Sequence, residues 1–112
     1  MRLLILSLSI AAVLGGCDDD EPTLVRFINR TGLAIDSMFV TLPLDALRFD
    51  SISPDAMTAY RRVGRATTRP MVEVYRGNGR SIAGPEGGEP LVAGRYTFEL
   101  TFTEHIVITL LR

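Results

Sequence analysis

Among 112 residues there is one cysteine, one histidine and no tryptophan, and because all twelve basic residues are arginine there is no lysine. A single thiol excludes an intramolecular disulfide, so the folded part must be held by its apolar core. One histidine without a second imidazole or thiol beside it excludes the usual zinc ligand sets, and no metal or cofactor is expected. The missing lysine removes the cation of a phosphate-binding glycine loop, and no helical pattern follows the glycines of Gly84-Pro85-Glu86-Gly87-Gly88-Glu89-Pro90. No Gly-x-Ser-x-Gly nucleophile elbow is present. From Thr23 onward nine acids face eleven arginines, so no large field of one sign is implied and a nucleic-acid partner is not expected.

The long apolar run is N-terminal. Leu3 to Leu14 follows Arg2 and leads into Leu14-Gly15-Gly16-Cys17 and then Asp18-Asp19-Asp20-Glu21. As a helix rising about 1.5 Å per residue, the run would cover roughly 18 Å of a hydrocarbon core about 30 Å thick. It is too short for a permanent span and has the charged, apolar and small-residue parts of a secretory leader. Leu14, Gly15, Gly16 and Cys17 resemble the lipobox of bacterial lipoproteins, in which Leu stands three places before a cysteine preceded by small residues. The resemblance implies that the Cys17 thiol takes a diacylglyceryl group, that the Gly16–Cys17 bond is cut and that the new amine is acylated. Two or three acyl chains on one residue make a stable anchor, each buried methylene contributing about 0.8 kcal/mol. The other readings are a cleaved leader with a free thiol and a cysteine buried as a small hydrophobe.

On this reading residues 1–16 are a lipoprotein signal peptide, 17–22 a lipidated cysteine with an acidic tether, and 23–112 the domain. The membrane is then a partner through the lipid on Cys17. Acids directly after an acylated cysteine act in sorting in opposite senses in different bacteria; the outer membrane or cell surface is favoured here over the inner membrane.

The domain reads as strands, in short runs of Val, Ile, Thr, Phe and Tyr punctuated by Gly, Pro, Asn and Asp. In Arg95 to Phe102 the residues Tyr96, Phe98, Leu100 and Phe102 alternate with Thr97, Glu99 and Thr101, which predicts a half-buried strand. Glu104-His105 turns it into Ile106 to Leu111, paired antiparallel. Gly77-Asn78 predicts a tight hairpin between Met71 to Arg76 and Gly79 to Ala83. Asn29-Arg30-Thr31-Gly32 predicts a type I turn between Leu24 to Ile28 and Leu33 to Leu42, and Ser53-Pro54-Asp55-Ala56 a turn between Phe49 to Ile52 and Met57 to Val63. Pro43 to Arg48 has room for one helical turn. About eight short strands at regular spacing predict an all-β fold, a small antiparallel β-sandwich of immunoglobulin-like chain order, with a small β-barrel as the alternative.

The order Phe27-Ile28-Asn29-Arg30-Thr31-Gly32, Ile52-Ser53-Pro54-Asp55, Thr58-Ala59-Tyr60, Gly88-Glu89-Pro90-Leu91 and Gly94-Arg95-Tyr96-Thr97-Phe98 resembles a group of small uncharacterised bacterial lipoproteins with a β-sandwich domain. The resemblance implies the fold and the anchor and assigns no activity. The Cys-Trp-Cys spacing of antibody domains is absent.

Candidate site residues are few. Arg61, Arg62, Arg65 and Arg69 place four guanidinium groups in nine residues, a pattern able to grip phosphate or carboxylate on lipid headgroups, polysaccharide or an acidic protein. A solvated strand end is the other reading. Glu86 and Glu89 have the chemistry of Ca²⁺ ligands or an acid and base pair, but they sit in a glycine-rich stretch expected to be a mobile connection. His105 beside Glu104 reads as a solvated turn. No catalytic residue is assigned. The leading expectation is a non-enzymatic protein-interaction or accessory module of the cell envelope, with a protein partner there. The alternative is an inhibitor or ligand-binding lipoprotein acting on an external enzyme, glycan or small molecule, and the least favoured is a hydrolase.

Overall fold

The computed structural model describes residues 21–111; Leu14, Gly15, Gly16 and Cys17 lie outside them. Ten strands form among the described residues: β1 (Thr23–Asn29), β2 (Ile35–Thr41), β3 (Ala46–Ile52), β4 (Arg61–Val63), β5 (Ala66–Arg69), β6 (Met71–Arg76), β7 (Gly79–Ala83), β8 (Gly87–Leu91), β9 (Gly94–Phe102) and β10 (Ile106–Leu111). One sheet runs β10-β9-β1-β4, a second runs β3-β2-β6-β7, and β5 with β8 makes a two-stranded ribbon. The fold is all-β, and the two larger sheets pack as a sandwich rather than closing into the alternative barrel.

Alternation sends one face of each sheet inward. Val25 and Phe27 of β1 and Phe98 and Leu100 of β9 meet Met38, Val40, Leu47, Phe49, Val72 and Val74 of the facing sheet, all in one buried cluster. Phe27 stacks on Phe98 at 5.3 Å between ring centroids and meets Phe49 across the sandwich edge-on at 5.5 Å. Full burial of an aliphatic or aromatic side chain of this size contributes about 1.5–3 kcal/mol, and no crosslink among the described residues supplements it. In β3 the inward set shifts from Leu47 and Phe49 to Ile52, and the shift falls where Ser51 adopts a φ of 55°.

Several local expectations hold and several need correction. Gly77-Asn78 joins β6 to β7 with Arg76 opposite Gly79, and Gly77 alone carries the positive φ, 55°. Ser53 to Ala56 closes with Ala56 N donating to Ser53 O at 3.0 Å; Asp55 has a φ of 65°, so this is a type II turn with Asp where Gly is usual. Pro43 to Arg48 contains no helical turn: it is a bend followed by the start of β3. Met57 to Val63 is not one strand, because Met57 makes a single bridge to Ile28 of β1 and a continuous ladder with β1 forms only over Arg61–Val63. β1 pairs with β9 in parallel over seven residues, so the first sheet is not wholly antiparallel. The Gly84 to Pro90 stretch is largely β8, paired with β5.

Candidate functional site

The sandwich has two ends. At the N-terminal pole, Gly94 N donates to Pro22 O at 3.2 Å, placing the incoming chain beside the start of β9. Thr23 stands in register with both Val63 and Gly94, so the β4–β5 turn and the β8–β9 turn flank the point of chain arrival. Asp45 Oδ2 accepts from Gly64 N at 2.7 Å and draws the β2–β3 loop to the same end. The tips of these loops carry Leu44, 66% exposed, and Val92, 79% exposed.

The far pole is organised by Asn29, which is fully buried. Its amide donates to the carbonyls of Leu33 at 2.8 Å, Ile52 at 3.0 Å and Ser53 at 3.2 Å. Its Oδ1 accepts from Thr31 N at 3.0 Å and Thr31 Oγ1 at 2.7 Å. The 29–32 turn is therefore held by the Asn side chain, while Asn29 O accepts from Asp55 N at 2.7 Å. Sequence spacing finds the change of direction but not its form: Asn29 O is taken by Asp55 N rather than Gly32 N, and the Asn29 side chain ties the 31–33 and 52–53 loops together.

Both outward sheet faces bear aromatic and arginine side chains. On the β3-β2-β6-β7 face, Arg48, Phe39, Glu73 and Ile82 form one cross-strand row, and Asp50, Ser37, Tyr75 and Arg80 largely form the next. Phe39 and Tyr75 meet edge-on at 5.8 Å, and the Arg48 guanidinium lies over Phe39 at 5.4 Å. Tyr75 Oη donates to Glu73 Oε2 at 2.7 Å, and Arg80 Nε pairs with the same oxygen at 2.6 Å. The hydrogen bond to the Glu73 carboxylate is the main reason the Tyr75 phenol is held above its ordinary pKa, opposed by the Arg80 charge. Phe39 remains 36% and Ile82 47% exposed, an apolar strip bordered by fixed charges.

On the opposite face, Arg62, Leu24 and Arg95 stand side by side across β4, β1 and β9. Tyr60 receives two guanidinium groups, Arg26 at 4.4 Å and Arg95 at 5.8 Å from its ring centroid. Arg26 Nε also donates to Thr97 Oγ1 at 3.0 Å. The ion pairs among the described residues are Arg30 with Asp55 and Glu99, Arg48 with Asp50, and Arg80 with Glu73; none engages Arg26, Arg62, Arg65 or Arg95.

The four arginines singled out by sequence spacing do not form one group. Arg61 turns to the β3 edge, donates to Arg48 O at 3.2 Å and lies over Phe49 at 5.2 Å. Arg69 stands on the other side, in a cleft of about 110 Å³ with Pro70, Ala83, Gly84, Pro85 and Ile108. Arg62 and Arg65 are exposed near the N-terminal pole, where the fold adds Arg95 from 30 residues further along the chain. Glu86 accepts from Thr67 Oγ1 at 2.8 Å, whereas Glu89 is exposed. His105 is exposed in the β9–β10 turn, its carbonyl accepting from Thr103 N at 3.3 Å. Among the described residues no three His, Cys, Asp or Glu side chains gather to hold a metal ion, and no helix is long and apolar enough to cross a membrane.

No protein-family profile matches the chain, and comparison with curated proteins gives no match. Among solved structures, the chain is similar to an NMR structure of a protein from Eubacterium rectale, with a TM-score of 0.59 and 17% sequence identity over 87% of this chain and 93% of that one. At that identity the likeness is one of fold.

Proposed function

We infer that this chain is a lipoprotein of the bacterial cell envelope, anchored through lipid on Cys17, and that its domain is a non-enzymatic protein-interaction module. The outer membrane or cell surface is the favoured address, from the acidic run after the cysteine. The observation that carries the interaction reading is the outward row Arg48–Phe39–Glu73–Ile82 with Tyr75 beside it. Aromatic and arginine side chains are enriched where proteins meet, because they offer large contact area and directed hydrogen bonds. Here such groups lie on a sheet face opposite to the core, preorganised by the Phe39–Tyr75 contact and the Glu73–Arg80 pair.

A photo-reactive residue at Ala46, exposed in the neighbouring row of this face, tests the reading in intact cells. A discrete adduct to one envelope protein, lost when Phe39→Ser and Ile82→Ser are combined while the chain stays in the membrane fraction, is the expected result. An adduct unaffected by those substitutions overturns the assignment of this face.

A further inference from the structure

We propose that the N-terminal pole is a membrane-docking surface: Leu44 and Val92 dip into the interface of the bilayer that holds Cys17 while Arg62, Arg65 and Arg95 take the phosphates of anionic phospholipid. The inference rests on the anchor reading and extends it from a tethered domain to an oriented one. Three observations converge on it. The first is the route of the chain. Pro22 is fixed beside Gly94, only five residues beyond Cys17. At about 3.3–3.6 Å per residue the extended tether reaches no more than about 18 Å, so this pole is held close to the lipid whatever path the tether takes.

The second is the chemistry displayed there. Leu44 and Val92 occupy the tips of two separate loops and are among the most exposed large apolar side chains of the domain. Neither packs against the core cluster. The third is charge. Arg62 and Arg95 project from one cross-strand row, Arg65 follows in the adjoining turn, and none of the three has an ion-pair partner among the described residues. Two acids among the described residues share this pole, Asp45, whose Oδ2 accepts from Gly64 N, and Glu21, exposed just before Pro22, and three guanidinium groups outnumber them. Glu89, in the ribbon, is the exposed acid nearest in sequence to Val92. Guanidinium groups bind phosphate oxygens bidentately, and the Tyr60 ring orients Arg95. Apolar tips and unpaired cations at one pole suit an anionic lipid surface, where each basic residue close to the headgroups strengthens binding about fivefold.

The test uses the full chain, processed in cells, purified in detergent and reconstituted into vesicles of phosphatidylcholine alone or enriched in phosphatidylglycerol. Arginine modification by phenylglyoxal is followed residue by residue by mass spectrometry, with Arg48 and Arg80 on the opposite sheet face as internal references. Relative to those two, Arg62, Arg65 and Arg95 are expected to react about fivefold more slowly on the anionic vesicles than on the neutral ones. The difference should vanish at about 0.5 M salt, where the Debye length falls to a few ångströms. Equal relative rates on both vesicles overturn the docking. Protection that is the same on both vesicles and disappears when Asp18, Asp19 and Asp20 are changed to Asn also overturns it, and assigns the acidic run as the occupant. Flotation with neutral vesicles at high salt reads the anchor alone: failure there sinks the lipoprotein reading, and intact flotation with unprotected arginines sinks only the docking.

Discussion

The two poles of this sandwich use polar groups in opposite ways. At the far pole Asn29 is buried, and its side chain serves the loops at residues 31–33 and 52–53 at once. At the N-terminal pole the loop tips carry exposed Leu44 and Val92, and Arg62, Arg65 and Arg95 are exposed there without carboxylate partners among the described residues. Burying an amide is favourable only when its donors and acceptors are satisfied, so the far pole is fixed by internal bonds. Leaving cations and large apolar groups exposed contributes little to folding, and it suits a surface whose partners lie outside the chain. One end maintains the fold; the other is available for contact.

The largest test of this contrast is Asn29→Ala. It strips partners from the carbonyls of Leu33, Ile52 and Ser53 and from Thr31, and should cost about 3 kcal/mol or more in urea unfolding. Next is Gly88→Ala in the β5–β8 ribbon. Gly88 has a φ of 89°, and a Cβ there would stand 2.2 Å from Thr68 Oγ1, which accepts from Glu89 N. A loss of about 2 kcal/mol is expected by the same measurement. Leu44→Ser combined with Val92→Ser should change stability by no more than about 0.5 kcal/mol, because both side chains are already in solvent. A loss comparable to that of Asn29→Ala would erase the distinction between the poles.

The smallest effect is spectroscopic. Hydrogen-bonded to the Glu73 carboxylate, the Tyr75 phenol should ionise above the ordinary tyrosine range in an absorbance titration, and Glu73→Gln should bring it down. Since its folded pKa is raised, the contribution of this bond is complete below the ordinary tyrosine range. It is lost as pH rises through the folded value.

Local patterning made much of the scaffold readable. The alternation in Arg95 to Phe102, the Gly77-Asn78 hairpin and the Pro54 turn each depend on a few neighbouring residues, and each is found in the fold, except that Phe102 at the end of the alternation is exposed. The β5–β8 ribbon was hidden because Gly87, Gly88 and Pro90 carry no alternating pattern, and Ala66 to Arg69 finds its partner some twenty residues later. Parallel pairing of β1 with β9 joins residues 71 positions apart and leaves no local trace. The same distance explains the arginines. Arg61 and Arg62 are adjacent in sequence but point to opposite faces of a strand, as its period requires, whereas Arg62 and Arg95 share a face only because β1 lies between their strands.

The central proposal is that Cys17 is acylated, on which the lipid-facing N-terminal pole depends. Intact-mass analysis of the chain extracted from membranes tests it most directly. A polypeptide that begins at Cys17 and carries the added mass of a diacylglyceryl group with an N-linked acyl chain is the predicted result. A chain that retains residues 1–16, or one that begins elsewhere with a free thiol or none, would contradict the account.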